Sequence, residues 1–127
     1  MEHVVIVDIN AMNIGTRPVG WIGAARKEFA TLPSAVRDRA TAALTIAAAG
    51  RKADIAKPLR GFGPGVMEFA IRYRTHAWRV VHTTEMDGRL WVIHAFRKKS
   101  WMGIKTPKSD RDLIARRLAR LKRELPQ

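Results

Sequence analysis

The sequence predicts an α+β fold, in which two N-terminal helices pack on one face of an antiparallel sheet and a further helix closes the chain. Three observations carry that expectation. Residues 66–74 alternate apolar and polar side chains with period two. Asp87-Gly88 lies between two β-rich runs and is the strongest short hairpin signal, because a two-residue type I′ turn needs positive φ and Gly supplies it without a Cβ clash. Residues 34–49 and 109–125 carry apolar side chains at helical spacing.

In chain order, residues 4–9 are a short β-rich run and residues 10–18 a loop of Asn, Gly, Thr and Pro. Residues 1–16 form a leader without an assigned structure, and one domain spans 17–127. Trp21-Ile22 is the candidate first strand of that domain. Residues 24–31 make a first helix, stopped before Leu32-Pro33 because the residue ahead of a proline avoids the α region. Ser34 opens a second helix, with Val36, Ala40, Ala43, Leu44 and Ala47 on one stripe and Gly50 as its C-cap. The segment RKADIAKPLRGFGPG, residues 51–65, is a glycine- and proline-rich loop into the sheet.

The strand 66–74 places Met67, Phe69, Ile71 and Tyr73 on one face and Glu68, Ala70, Arg72 and Arg74 on the other. A turn at Thr75-His76 sets Tyr73 opposite Trp78 and Arg72 opposite Arg79. Counting back from Asp87-Gly88 pairs Met86 with Arg89, Val81 with His94, Arg79 with Phe96 and Trp78 with Arg97, and puts His82 opposite Ile93. The helices then cover a face of Met67, Phe69, Ile71, Tyr73, Trp78, Val80, Trp91, Ile93 and Ala95. Glu68, Arg72, Arg79, Val81, His94, Phe96 and Lys98 share the opposite face, which is partly polar and expected to be open. Pro107, with Ser109 and Asp112 as a capping box, leads into the last helix, where Ile114, Leu118, Leu121 and Leu125 form a narrow stripe amid Arg116, Arg117, Arg120, Lys122 and Arg123.

Composition narrows the function. A formal net charge of +13, from 24 Lys and Arg against 11 Asp and Glu, exceeds what solubility requires and points to a polyanionic partner, nucleic acid first. The apolar runs VVIV and AALTIAAA are much shorter than the roughly 20 residues of a spanning helix, and the start lacks the basic-then-apolar order of a secretory signal. A cytoplasmic protein without a membrane partner is the expectation. The absence of Cys excludes disulfide and thiolate chemistry, and four His without ligand spacing argue against a metal site. No cofactor is expected.

The polar sheet face gathers Arg72, Arg79 and Lys98 beside His94 and Glu68, a set that suits RNA strand cleavage. Such a reaction needs the 2′-hydroxyl aligned on the neighbouring phosphate, a base for its proton, and cations for the charge on the phosphorane oxygens. Arg72, Arg79 and Lys98 supply the cations. Glu68 or His94 is the candidate base, and His94 or a Lys the acid. Lys57 and Arg60 before the strand, and Lys99, Trp101, Lys105 and Lys108 in the basic segment after it, are the candidate RNA-binding residues. Trp101 either stacks on a base or anchors its loop. His82 falls on the covered face as a core histidine, and RGFGPG is a turn, because no strand-loop-helix context or Lys-Ser/Thr accompanies it.

The stretches KPLRGFGPGVMEFAIRY, WRVV, LWVIHAFRKKS and GIKTPKSDRDLIARRL resemble the HigB-like, phage-related branch of the RelE/ParE superfamily of bacterial type II toxins. The resemblance runs over about residues 17–125. It implies a RelE-like fold with two N-terminal helices against an antiparallel sheet, metal-independent cleavage of messenger RNA, often on the ribosome, and neutralisation by a helix-turn-helix antitoxin. By position, Arg79 matches the Arg that follows an aromatic in the third strand of the motif, and Lys98 and Lys99 match its basic pair. Glu68-Phe69-Ala70 stands where many relatives have Glu-Leu-Arg, and the functional C-terminal Tyr of RelE-type enzymes has no counterpart, since Tyr73 is the sole tyrosine. A gyrase-directed, ParE-like toxin and a non-catalytic nucleic-acid binder are the alternatives.

Overall fold

The computed structural model describes residues 4–7, 17–98 and 105–125. Along these residues run β1 (Val4–Val7), β2 (Val19–Ile22), α1 (Gly23–Ala30), α2 (Ser34–Ala48), β3 (Ala56–Pro58), β4 (Val66–Tyr73), β5 (His76–Thr83), β6 (Leu90–Lys98) and α3 (Lys108–Glu124). The strands form one six-stranded sheet in the order β1-β2-β6-β5-β4-β3. The α+β class is as expected, but the sheet is mixed. β2 runs parallel to β6, and the other neighbours are antiparallel. The connection through α1 and α2 lets the chain leave β2 and return later in the same direction, as a parallel pair requires. β1 pairs with β2, so part of the stretch ahead of residue 17 extends the sheet.

The Asp87-Gly88 hairpin forms as expected. Asp87 has φ 55° and Gly88 φ 74°, and Met86 and Arg89 exchange both backbone hydrogen bonds at 2.8 and 3.2 Å. The register holds from Ala77 opposite Lys98 to Val81 opposite His94. It then slips, so His82 faces Val92 rather than Ile93. The Trp91 amide beside this bulge donates to the Thr83 hydroxyl at 3.1 Å, a side chain standing in for a ladder carbonyl. The β4–β5 turn also differs from expectation. Its two loop residues are Arg74, at φ 57°, and Thr75, and Tyr73 pairs with His76. The shift of two residues leaves each side chain on its expected face, because the strand period is two. Partners do change: Arg79 faces Ala70 and Arg72 faces Ala77.

The face expected to be open is buried. Glu68 is 1 % exposed, Val81 0 % and His94 4 %, while Phe69 and Val80 on the other face are at 0 %. The cause is α3, whose Asp110 and Arg117 reach His94 and so lie over the Glu68 side of the sheet. α2 packs against β4. Leu118 and Leu121 of α3 join the common core with Val36 and Leu44 of α2. Gly50, at φ 83°, turns the chain after α2, its amide donating to Ala47 O at 2.9 Å. The Ser109–Asp112 capping box is absent. Ser109 lies inside α3, Pro107 holds the cap position, and Asp112 instead accepts from Lys108 at 2.8 Å.

Candidate functional site

The register sets Lys57, Glu68, Val81 and His94 in one row across four strands. Arg79 lies one step along the same face, opposite Ala70 and Phe96, and Arg72, Ala77 and Lys98 form the next row. All five residues expected to do chemistry, Glu68, Arg72, Arg79, His94 and Lys98, therefore share one face. Of these, only Arg72 is exposed.

Glu68 is the anchor. Arg79 Nη1 donates to its Oε1 at 2.7 Å, and the Thr106 hydroxyl donates to its Oε2 at 2.8 Å. Arg79 is 6 % exposed, and its Nε is buried without a partner among the described residues. Removing either member of such a buried pair costs about 3–5 kcal/mol, because the other charge is left in low dielectric. Lys98 is also 6 % exposed. Burial, together with the nearby Arg79 and Lys57 cations, pulls its ammonium below the usual lysine range, partly opposed by Glu68.

Beside Glu68 opens a cleft of about 610 Å³, lined by Lys57 and Pro58 of β3, Leu59, Arg60 and Gly61 of the next loop, Lys105 and Thr106, and Arg111 of α3. Three of the expected RNA-binding residues, Lys57, Arg60 and Lys105, thus meet at one opening. Arg111 completes the rim. Its guanidinium donates to Arg60 O at 2.7 Å and stacks on Phe62 at 4.7 Å. Gly61, at φ 98°, permits this approach, since a Cβ there would lie 2.2 Å from Arg111 Nη2. The expected turn RGFGPG is therefore what clamps the cleft to α3. Lys108 is exposed and paired with Asp112, away from the lining. Lys99 and Trp101 fall outside the described residues.

His94 occupies a different setting. Its Nδ1 lies 2.9 Å from Glu28 Oε1 and its Nε2 2.8 Å from Asp110 Oδ1, and its ring stacks on Phe96 at 4.7 Å. Arg117 joins the group, donating through both terminal nitrogens to the two Glu28 oxygens at 2.9 Å and to Ile93 O at 3.0 Å. Burial alone would raise the Glu28 carboxyl, but hydrogen bonds from His94 and Arg117 hold it down at about 2. His94 thereby ties α1, β6 and α3 together. Thr106, Arg111, Glu28, Asp110 and Arg117 escaped the sequence reading. All but Glu28 lie in the stretch GIKTPKSDRDLIARRL that carries the family resemblance, but none was given a role in the site.

Residues 27–119 match the family model described as phage-derived protein Gp49-like, a span that contains every residue of the cleft. The chain belongs to this Gp49-like family. The family is RelE-like and associated with the toxins of toxin–antitoxin systems, in keeping with a toxin role and an antitoxin as partner. A comparison with curated proteins found no match. Among the described residues of this Gp49-like protein, no helix is long and apolar enough to cross a membrane.

Proposed function

We propose that this Gp49-like protein is a HigB-like toxin that cleaves messenger RNA on translating ribosomes without a metal, and that a helix-turn-helix antitoxin neutralises it. The observation that supports this reading best is a buried Arg79 guanidinium, its Nε without a partner among the described residues, bonded to the Glu68 that lines a cleft rimmed by Lys57, Arg60, Lys105 and Arg111. Phosphates of an RNA strand fit such a cleft, and their charge offsets repulsion among its cations. In the reaction Glu68 accepts the 2′-hydroxyl proton once the Thr106 hydroxyl swings away. The 2′-oxygen attacks phosphorus, while Arg79 and Lys98 stabilise the charge on the non-bridging oxygens. The bond to the 5′-oxygen breaks as Lys98 delivers a proton to it, leaving a 2′,3′-cyclic phosphate and a 5′-hydroxyl. A lysine of lowered basicity gives up that proton more readily.

Mapping cuts in messenger RNA after adding purified protein to translating ribosomes tests the proposal. Wild type should cut, and Lys98→Met, which leaves the Glu68–Arg79 pair in place, should cut at least about a hundredfold more slowly. Intact message at concentrations that arrest growth would overturn the reading, and unchanged toxicity of Lys98→Met would favour a toxin acting through protein contacts, such as a gyrase-directed one.

A further inference from the structure

Past its flanking strands the sheet narrows. β2 pairs with residues 90–92 of β6, and β3 with residues 67–69 of β4, so the far ends of β4, β5 and β6 run on as three strands. The Arg74-Thr75 turn closes β4 onto β5 there. On the face that carries Phe69 and Val80, Tyr73 stands opposite His76 and Trp78 opposite Arg97. Tyr73 and Trp78 pack against the core yet remain partly exposed. The Arg74 guanidinium lies over the Tyr73 ring at 5.3 Å, and the His76 ring meets Trp78 edge-on at 6.2 Å. Arg39 of α2 reaches the same end and donates to Arg72 O at 3.0 Å.

The charge gathered here has one sign. Arg39, Arg74 and Arg97 are exposed, and among the described residues none of them forms an ion pair with a carboxylate. Residues 69–84 and 88–109 contain no Asp or Glu, and Asp38, beside Arg39 in the sequence, pairs with none of the three. Like charges on one surface repel, and a polyanion removes that cost. All three cations are arginines, whose planar guanidinium bonds phosphate in a fork and stacks on flat rings. An acidic protein segment would answer the charge alone. An unpaired nucleic-acid strand answers both features, its phosphates meeting the cations and its bases the rings.

We infer that this end of the sheet is a second nucleic-acid surface, which holds an unpaired strand of RNA. Successive bases stack on Tyr73 and Trp78, diagonal neighbours across β4 and β5 at about 7–8 Å, while Arg39, Arg74 and Arg97 hold the phosphates. Trp78 and Arg79 are adjacent in β5, so this surface and the Glu68 cleft lie on opposite faces of the sheet. The binding of an unpaired strand stands on the exposure, charge and rings of this end of the sheet, and the choice of RNA over DNA rests on the proposed action on messenger RNA.

The test measures fluorescence anisotropy of a labelled 2′-O-methyl dodecauridylate with the full-length protein. The blocked 2′-oxygen prevents the proposed cleavage, so binding is read without reaction. Arg74→Ala/Arg97→Ala should weaken binding at least tenfold and flatten the slope of log affinity against log salt by about 1.4, the single-strand value for two phosphates. Arg51→Ala/Lys52→Ala removes the same charge at two exposed positions beside Met67 and Leu90, toward the other end of the strands, and should change affinity less than twofold. Tyr73→Leu removes a ring without a charge and should weaken binding about fivefold or more at an unchanged slope. Wild-type affinity in Arg74→Ala/Arg97→Ala, or an equal loss in Arg51→Ala/Lys52→Ala, overturns the inference. Unchanged affinity in a folded Tyr73→Leu leaves a surface read by charge alone, as an acidic protein segment would read it, and overturns it too. Every variant keeps Lys57, Arg60 and Lys105, so failure here leaves the proposed nuclease standing, and a failed cleavage assay leaves this binding to be read as before.

Discussion

Replacing Glu28 by Gln keeps the shape of the side chain and removes the charge that holds Arg117 and His94. Glu28 accepts from Arg117 at both oxygens, from His94 Nδ1 at 2.9 Å and from the Ala95 amide at 3.2 Å. These bonds outweigh burial and bring its pKa from 4.5 to about 2. A gap of that size corresponds to about 3 kcal/mol. Because the folded value is the lower one, the contribution is complete above pH 4.5 and drains away as the pH falls toward 2. Urea unfolding of wild type and Glu28→Gln should therefore differ by about 3 kcal/mol at pH 6 and by about 1 kcal/mol at pH 3. Background titration of groups that do not touch Glu28 cancels in the difference. A gap that stays constant from pH 6 to pH 3, or one below about 1 kcal/mol at pH 6, would refute the role given to this carboxylate.

Further outcomes follow from single contacts. Gly20→Ala drives a Cβ to within 2.4 Å of the Trp91 ring, inside a buried core, and thermal melts should show a loss of about 1–3 kcal/mol or more. Thr106→Val deprives Glu68 Oε2 of its donor and should cost about 1–3 kcal/mol in chemical denaturation. His82 titrates in the opposite sense to an ion-paired histidine. Its folded pKa of about 4 lies below 6.5, so stability is full above pH 6.5 and falls toward pH 4, and melts of His82→Phe should lack that dependence. If the cleft binds single-stranded RNA, Lys57→Ala, Arg60→Ala and Lys105→Ala should each flatten the slope of log affinity against log salt by about 0.7, and an unchanged slope in filter binding would count against contact at that position.

Much of the sheet was legible because local rules decide it. Asp87-Gly88 permits one tight turn, and from it the pairing of Arg79 with Phe96 and of Val81 with His94 follows by counting. Even where the β4–β5 turn was misplaced by two residues, Glu68, Arg72 and Arg79 kept their common face. The bulge after Val81 was not legible, since it depends on Thr83 capturing the Trp91 amide. Neither was the missing capping box. Pro107 and Lys108 begin the helix early enough to place Ser109 inside it.

The site divides in the same way. Residue type and period two were enough to bring Glu68, Arg79 and Lys98 together, because those relations are set along strands and across neighbouring ones; Lys57 was read in the loop 51–65, and only the strand β3 formed there sets it opposite Glu68. What covers that face is a long-range matter. Burying the apolar stripe of α3 carries Asp110, Arg111 and Arg117 onto the sheet, and with them Thr106 onto Glu68. That packing turned His94 from a candidate acid or base into the tie between α1 and α3, and enclosed the expected open face as a cationic cleft. From the strand period and one turn, the sequence by itself determined which side chains share a face as far as the bulge after Val81, beyond which Val92 instead of Trp91 shares the face of His82 and Met67. Only the tertiary structure decided which of them meet solvent, because burial depends on the helix laid over them from the far end of the chain.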